Sequence, residues 1–289
     1  MSTAFVAAAL GTAGLVGCGG NSLADRAQPG RLYPFDSAVY LTVQEERTAQ
    51  TVLERATAAC MRDRGFDYTP LLDRRGEVEP DNPYGLLDAA TANTDGYGIV
   101  PAVLRRRERP VATTGPQPDP AYVTALNGSE QARHTLVLPG GEEVAVASDG
   151  CVAKARVDVY GSDWDRLYYT FQSLSNTVIE RAGTDPAVTA ATADWSACVG
   201  RAGHPAAKPS DLRQAIESRA AQAADDAAIR AAARAELAVA RVDATCQDRA
   251  GLRAAVAGAQ ASAERQLLTE VLRQDLHRLH QLKRAALNP

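Results

Sequence analysis

The sequence predicts a mainly α-helical protein with one small β-hairpin, a helical bundle braced by disulfides and richest in helix in its C-terminal half. Three observations carry that expectation. Apolar residues recur at helical spacing, most clearly Leu167, Phe171, Leu174 and Val178. Two short apolar-rich runs flank the turn residues Pro139-Gly140-Gly141-Glu142. Cys60, Cys151, Cys198 and Cys246 form an even set in a chain whose N-terminus reads as an export signal.

That N-terminus is an uncharged apolar stretch from Ala4 to Val16, the length of a signal-peptide core and short of the roughly 20 residues a membrane-spanning helix needs. It closes on Leu15-Val16-Gly17-Cys18. In bacterial lipoproteins a Leu three residues before a cysteine and a small residue just before it mark where a diacylglyceryl group is attached and the peptide is cut. Leu15, Gly17 and Cys18 fit, although Val16 stands where Ala or Ser is commoner. No Lys or Arg precedes the apolar run, as would be the case if translation began upstream. Residues 1–17 are thus expected to be a signal peptide, and 18–34 a lipidated Cys18 with a flexible Gly-, Ser- and Pro-containing tether. Two or more acyl chains, at about 0.8 kcal/mol per buried CH₂, hold a protein stably on a bilayer. Cys18 is therefore read as an anchor and not a nucleophile.

Composition fits an extracytoplasmic globular body. The 289 residues are 45% hydrophobic and 23% charged, enough for one or two domains with sizeable cores. A net charge of −4 argues against a nucleic-acid partner, which calls for a basic excess or stripe. Basic residues are nearly all Arg, with Lys only at positions 154, 208 and 283, and Ala abounds. That bias fits a GC-rich genome such as those of the actinobacteria.

Residues 35–182 read as a mixed region. Asp36 or Ser37 can cap a helix running to Arg64, with Glu45 and Glu46 early and Gly65 as its stop. Val52, Ala56, Ala59 and Cys60 share one face of it. From Asp67 to Pro120 repeated prolines predict loop, and Arg105-Arg106-Arg107-Glu108-Arg109-Pro110 reads as an exposed linker, with contact to anionic lipid headgroups as the less favoured alternative. Asp81-Asn82-Pro83-Tyr84-Gly85 and Gly96-Tyr97-Gly98 place Tyr and Gly in loops, where they line grooves or pack turns. The hairpin takes His134–Leu138 and Glu143–Ala147. A helix begins near Val152, and another runs from Asp163 to Arg181.

Residues 183–289 read as helical, whether as a second region or as one continuous domain with the first. Asp185-Pro186 opens a helix reaching Trp195 and Cys198. Pro209-Ser210-Asp211 starts an Ala-rich section that breaks near Gly251. Leu268, Leu272, Leu276 and Leu279 form a stripe, expected to pack inside the molecule rather than on a partner helix.

Four cysteines allow three connectivities. Cys60, Cys198 and Cys246 each open a Cys-x4-Gly unit at an expected helix end, and pairing sequence neighbours gives Cys60 with Cys151 and Cys198 with Cys246. A zinc site is disfavoured, because the cysteines stand far apart with no His at ligand spacing. Nor is any metal or other cofactor expected elsewhere. His277 and His280 sit among Arg, Gln and Asp on a face read as solvated, and Asp73, Glu77, Glu79 and Asp81 lack a calcium-loop pattern. No Gly-x-Ser-x-Gly elbow, His-Glu-x-x-His pair or phosphate-binding Gly-Lys loop is present, so no catalytic residue is named.

Several motifs together carry a family resemblance. The segments Cys60-Met61-Arg62-Asp63-Arg64-Gly65-Phe66, Pro83-Tyr84-Gly85, Leu138-Pro139-Gly140-Gly141, Gly150-Cys151, Trp195-Ser196-Ala197-Cys198 and Asp243-Ala244-Thr245-Cys246 resemble, in order and type, the uncharacterised secreted lipoproteins of Streptomyces and related actinobacteria. The resemblance implies a cell-surface lipoprotein with two disulfides, often considered beside export or transport systems, and supplies no catalytic residues. The expected function is that of a lipid-anchored binding or interaction protein on the outer face of the cytoplasmic membrane. Its expected partner is an envelope protein or exported peptide, in a role as transporter accessory or protection against that peptide. A cell-envelope hydrolase using carboxylates between Asp67 and Pro120 and a structural spacer are the alternatives.

Overall fold

In the computed structural model, which describes residues 32–72, 82–108 and 119–288, a left-handed turn leads into the helices. Cys18 and the signal stretch, the acidic residues Asp73, Glu77, Glu79 and Asp81, and Arg109 of the basic run lie outside the described residues. The turn, α1 (Pro34–Ser37), carries Phe35, Asp36 and Ser37 at φ of 53°, 53° and 58°. Left-handed backbone costs a side-chain-bearing residue roughly 1–2 kcal/mol, so something must hold it. Phe35 is buried edge-on against Phe171, and its amide donates to Glu264 Oε1 at 3.0 Å. Lys283 Nζ donates to the carbonyls of Ser37 and Tyr40 at 2.8 and 2.6 Å. These contacts correct the expected helix start at Asp36. The helix α2 (Val43–Asp63) begins seven residues later, where Thr42 and Glu45 form a capping box.

The stretch expected to be loop contains two short helices, α3 (Ala89–Thr94) and α4 (Ile99–Glu108). Arg105, Arg106 and Arg107 therefore belong to a helix and not to a linker. Arg107 donates to the carbonyls of Ala220, Ala221 and Ala223, and Arg106 pairs with Glu217 at 3.6 Å. The exposed Arg106 and Arg107 thus dock on the carbonyl end of the helix Pro209–Gln222, where cations complement the helix terminus.

Next come α5 (Pro120–Asn127), a single 3₁₀ turn, and the antiparallel hairpin of β1 (Arg133–Val137) with β2 (Glu143–Ala147), in which Leu136 faces Val144 and His134 faces Val146. The chain continues through α6 (Cys151–Tyr160), α7 (Trp164–Gly183), α8 (Pro186–Arg201), α9 (Pro209–Gln222), α10 (Asp226–Arg249), α11 (Leu252–Leu267) and α12 (Glu270–Leu287). Asp185 and Asp225 cap α8 and α10, and Pro opens α8 and α9, as their sequences direct. Gly65, Gly203 and Gly251 take φ of 82°, 86° and 62°, the left-handed exits expected after the three cysteine-bearing helices.

From Leu32 onward the chain is one compact unit. Leu167, Phe171, Leu174 and Val178 of α7 form the middle of the largest core cluster, joined by Ala263, Leu279 and Leu282. Leu268, Leu272 and Leu276 pack against it, so the leucine stripe is intramolecular. Trp195, Val199, Leu212, Ile216 and Val239 fill a second cluster between α8, α9 and α10. A disulfide closes each half: Cys60–Cys151 joins α2 to the start of α6, and Cys198–Cys246 joins α8 to α10, with Cα atoms 5.5 and 5.7 Å apart.

Non-reducing peptide mapping is expected to recover these two pairs, and any peptide joining Cys60 or Cys151 to Cys198 or Cys246 contradicts the fold. Replacing Cys198 and Cys246 together by Ala is expected to lower unfolding free energy by about 4 kcal/mol, the loop-closure value for this spacing, as measured by denaturant titration.

Candidate binding cleft

Between Asn82 and Gly98 the backbone has little regular structure, so its amides and carbonyls need partners from elsewhere. One helix supplies several that the segment cannot supply for itself. Glu236, Asp243 and Gln247 stand at i, i+7 and i+11 on α10 and share a face with Val239, Ala240 and Ala244. Glu236, 2% exposed, accepts from three amides at the start of α4: Tyr97 at 3.0 Å and Ile99 at 2.7 Å on Oε1, and Val100 at 2.9 Å on Oε2. Gln247 accepts from the Leu87 amide at 2.8 Å and donates to the Gly85 carbonyl at 3.2 Å. Asn82, fully buried, folds the turn back on itself by accepting from the amides of Tyr84 and Leu86.

Asp243 is the centre of this network. Its carboxylate, at 0% exposure, accepts from the Trp195 indole at 2.8 Å, the Tyr97 hydroxyl at 2.8 Å and the Gln247 amide at 2.9 Å. Burial raises its pKa above the usual carboxylate value, and the three donors only partly offset that. Burial, with the Asp243 charge beside it, pushes the Tyr97 hydroxyl far up. Over the Tyr97 ring, 4.6 Å from its centre, lies the Arg213 guanidinium, whose pKa burial lowers.

Arg213 belongs to α9 and faces a cleft of about 520 Å³. The loop from Asn82 to Leu86 forms one side. Ile179 and Gly183 of α7, Val188 and Thr192 of α8, and Leu252 and Val256 of α11 form the floor and far wall. Lys208, Pro209 and Ser210 stand with Arg213 at the opening turn of α9. The size suits a small ligand, and the mixture of apolar wall with a few polar groups is that of a binding site.

A second groove, of about 440 Å³, lies against the Cys198–Cys246 bridge and is lined by Arg201, Arg241 and Arg249. Arg241 donates to the Asn93 carbonyl, and Arg201 and Arg249 stand in the last turns of α8 and α10, where cations complement the helix carbonyl ends.

The residues singled out from sequence divide clearly. The four cysteines of the body are joined in two pairs, and none of them lines the 520 Å³ cleft. Tyr84 and Gly85 line the cleft, while Tyr97 lies beneath Arg213. His280 is half-buried with a ring nitrogen 3.2 Å from the Phe35 carbonyl, which corrects the solvated face expected for it, and His277 is exposed. Among the described residues no three or more His, Cys, Asp or Glu side chains are grouped to hold a metal ion, and no helix is long and apolar enough to cross a membrane. Glu236, Gln247 and Arg213 were not singled out by sequence, and Asp243 entered only within the motif Asp243-Ala244-Thr245-Cys246. The available signal was polar residues recurring within the apolar stripe of an Ala-rich helix. Comparison of the chain with protein-family models, curated proteins and solved structures finds no match.

Asp243→Ala leaves three buried donors without an acceptor and is expected to cost about 3 kcal/mol or more, whereas Asp243→Asn, which keeps shape and one acceptor oxygen, costs about 1 kcal/mol. Because the folded-state pKa of Asp243 is raised, its stabilising share is complete below the unfolded value of 3.8 and declines as pH rises through the folded value. Urea unfolding across the acid range should therefore show the gap between wild type and Asp243→Asn narrowing with rising pH. Parallel curves contradict this.

Proposed function

We propose that the protein is a lipoprotein held by Cys18 on the outer face of the cytoplasmic membrane, and that its helical body is a non-enzymatic binding module. The Leu15-Val16-Gly17-Cys18 pattern supports the anchor, and two disulfides suit an oxidising compartment outside the cytoplasm. The motif resemblance to secreted lipoproteins of Streptomyces and related actinobacteria supports the same address. An envelope protein or exported peptide is the partner class, in a role as transporter accessory or protection against that peptide.

One observation carries the choice of binding over hydrolysis. The cleft has an apolar wall and two cations and no carboxylate among its described lining residues, while carboxylates around Arg213 are committed to structural hydrogen bonds: Asp243 to Trp195, Tyr97 and Gln247, Glu236 to the start of α4, and Asp211 to the amides of Ala207 and Lys208. Of the described Asp residues in the segment suggested for acid–base work, Asp67 is exposed at its outer end and the other three are engaged likewise. Asp88 caps α3, Asp119 caps α5 and Asp95 accepts from Thr94. General acid–base chemistry needs a carboxyl group within reach of a substrate proton, and these are turned to backbone or neighbouring hydroxyls.

Two measurements test the reading. Cys18→Ser is expected to move the protein from membrane to soluble fractions, and unchanged fractionation defeats the anchor. Native mass spectrometry of the protein extracted from envelopes is expected to show a retained ligand or partner. A bare mass, with no cross-linked partner in cells, contradicts the binding module.

A further inference from the structure

The guanidinium of Arg213 is short of acceptors. It has five N–H donors, and a buried guanidinium ordinarily spends them on carboxylates or carbonyls. Here Nε is buried with no hydrogen-bond partner, and Nη2 has only a long 3.5 Å contact to the Gly85 carbonyl. The carboxylates beside it are taken. Asp243 and Glu236 accept from other donors, and Asp211, on the same turn of α9, holds the amides of Ala207 and Lys208 at 3.0 Å. Tyr97 lies against one face of the guanidinium, and Arg213 lines the cleft, where the exposed Lys208 adds a second positive charge. Away from these cations the walls are aliphatic: Ile179, Val188, Leu252 and Val256.

We propose that the cleft binds an anionic amphiphile, with a carboxylate or phosphate head on Arg213 and Lys208 and an aliphatic body along Ile179, Val188, Leu252 and Val256. The ligand class follows from complementarity at both ends. A fork of guanidinium donors matches two oxygens of a carboxylate or phosphate. Charge-assisted bonds formed where water is thinned supply specificity, and the aliphatic wall supplies non-directional affinity. A ligand with a cationic head meets two like charges, and a small inorganic anion leaves the wall unfilled. The proposal rests on the reading of this cleft as the binding surface.

The test uses the full chain carrying Cys18→Ser, so that no acyl group is attached, in calorimetric titrations below micellar concentrations. Decanoate and decyl phosphate are expected to bind. Acetate, inorganic phosphate and decyltrimethylammonium are expected to bind at least about tenfold more weakly. The tighter of the two decyl probes distinguishes a free fatty-acid ligand from a phosphate-headed lipid. Arg213→Gln should weaken decanoate about tenfold or more. Because that side chain is partly buried, Lys208→Glu and Ser210→Trp, both at exposed positions on the cleft, provide the same test without risk to the core: the first weakens anionic probes and the second blocks all probes. Equal affinity for cationic and anionic heads, still blocked by Ser210→Trp, overturns the ligand class and leaves the cleft as a binding surface. Absence of binding by every amphiphile overturns the ligand class. If Ser210→Trp also leaves the ligand retained in envelope extracts in place, the cleft itself falls as the site.

Discussion

Buried polar side chains on α10 act as hydrogen-bonding partners for the parts of an irregular chain segment that its own short helix and turns leave unpaired. Glu236 gathers the first amides of α4, Asp243 gathers Trp195 and Tyr97, and Gln247 holds Leu87 and Gly85. An irregular stretch placed inside a protein leaves amides and carbonyls that each cost about 1–3 kcal/mol if unpaired. Three side chains on one helix face remove that cost for the stretch leading into α4. The position of the Asn82–Leu86 loop, and with it one side of the cleft, follows from this constraint. Arg213 stacks on the tyrosine that Asp243 holds, so the cation of the cleft is set by the same network.

The same device recurs at the entrance to the body. Gln260 donates to the Tyr33 carbonyl and accepts from the Tyr84 hydroxyl, Glu264 accepts from the Phe35 amide, and Lys283 holds the carbonyls of Ser37 and Tyr40. A left-handed turn at Phe35–Ser37 would not persist on local preference. It persists because α11 and α12 supply its partners and Phe171 a packing surface. Both irregular segments thus depend on helices that come more than a hundred residues later. The Cys198–Cys246 bridge fixes α8 to α10 one residue short of Gln247, so covalent and polar constraints converge on one stretch of helix.

That dependence explains what the sequence disclosed. Helices α7 and α8, the start of α9 and the break at Gly251 were legible because caps, prolines and apolar spacing are local, and Leu167, Phe171, Leu174 and Val178 fell where their period placed them, whereas the breaks between α9 and α10 and between α11 and α12 were not read. The hairpin was legible from its turn, and the cysteine pairing from chain order. The helix α4 was hidden because its N-terminal partner, Glu236, is about 140 positions away, and Arg105-Arg106-Arg107 looks like any solvated basic run. The helix start moved from Asp36 to Val43 for the same reason. The cleft left only a faint trace, Tyr84 and Gly85, since its cation and walls come from α7, α8, α9 and α11. Residues whose partners lie far along the chain are not readable from spacing.

The central claim is that α10 supplies the backbone partners of the segment before and within α4. Amide hydrogen exchange in Glu236→Gln tests it most directly, since the substitution keeps shape while removing one acceptor oxygen and the charge. The account predicts that the amides of Tyr97, Ile99 and Val100 lose protection by about tenfold or more, while α2, α6 and the hairpin exchange as in wild type. Unchanged protection at those three amides, or a uniform loss across the whole chain, would contradict it.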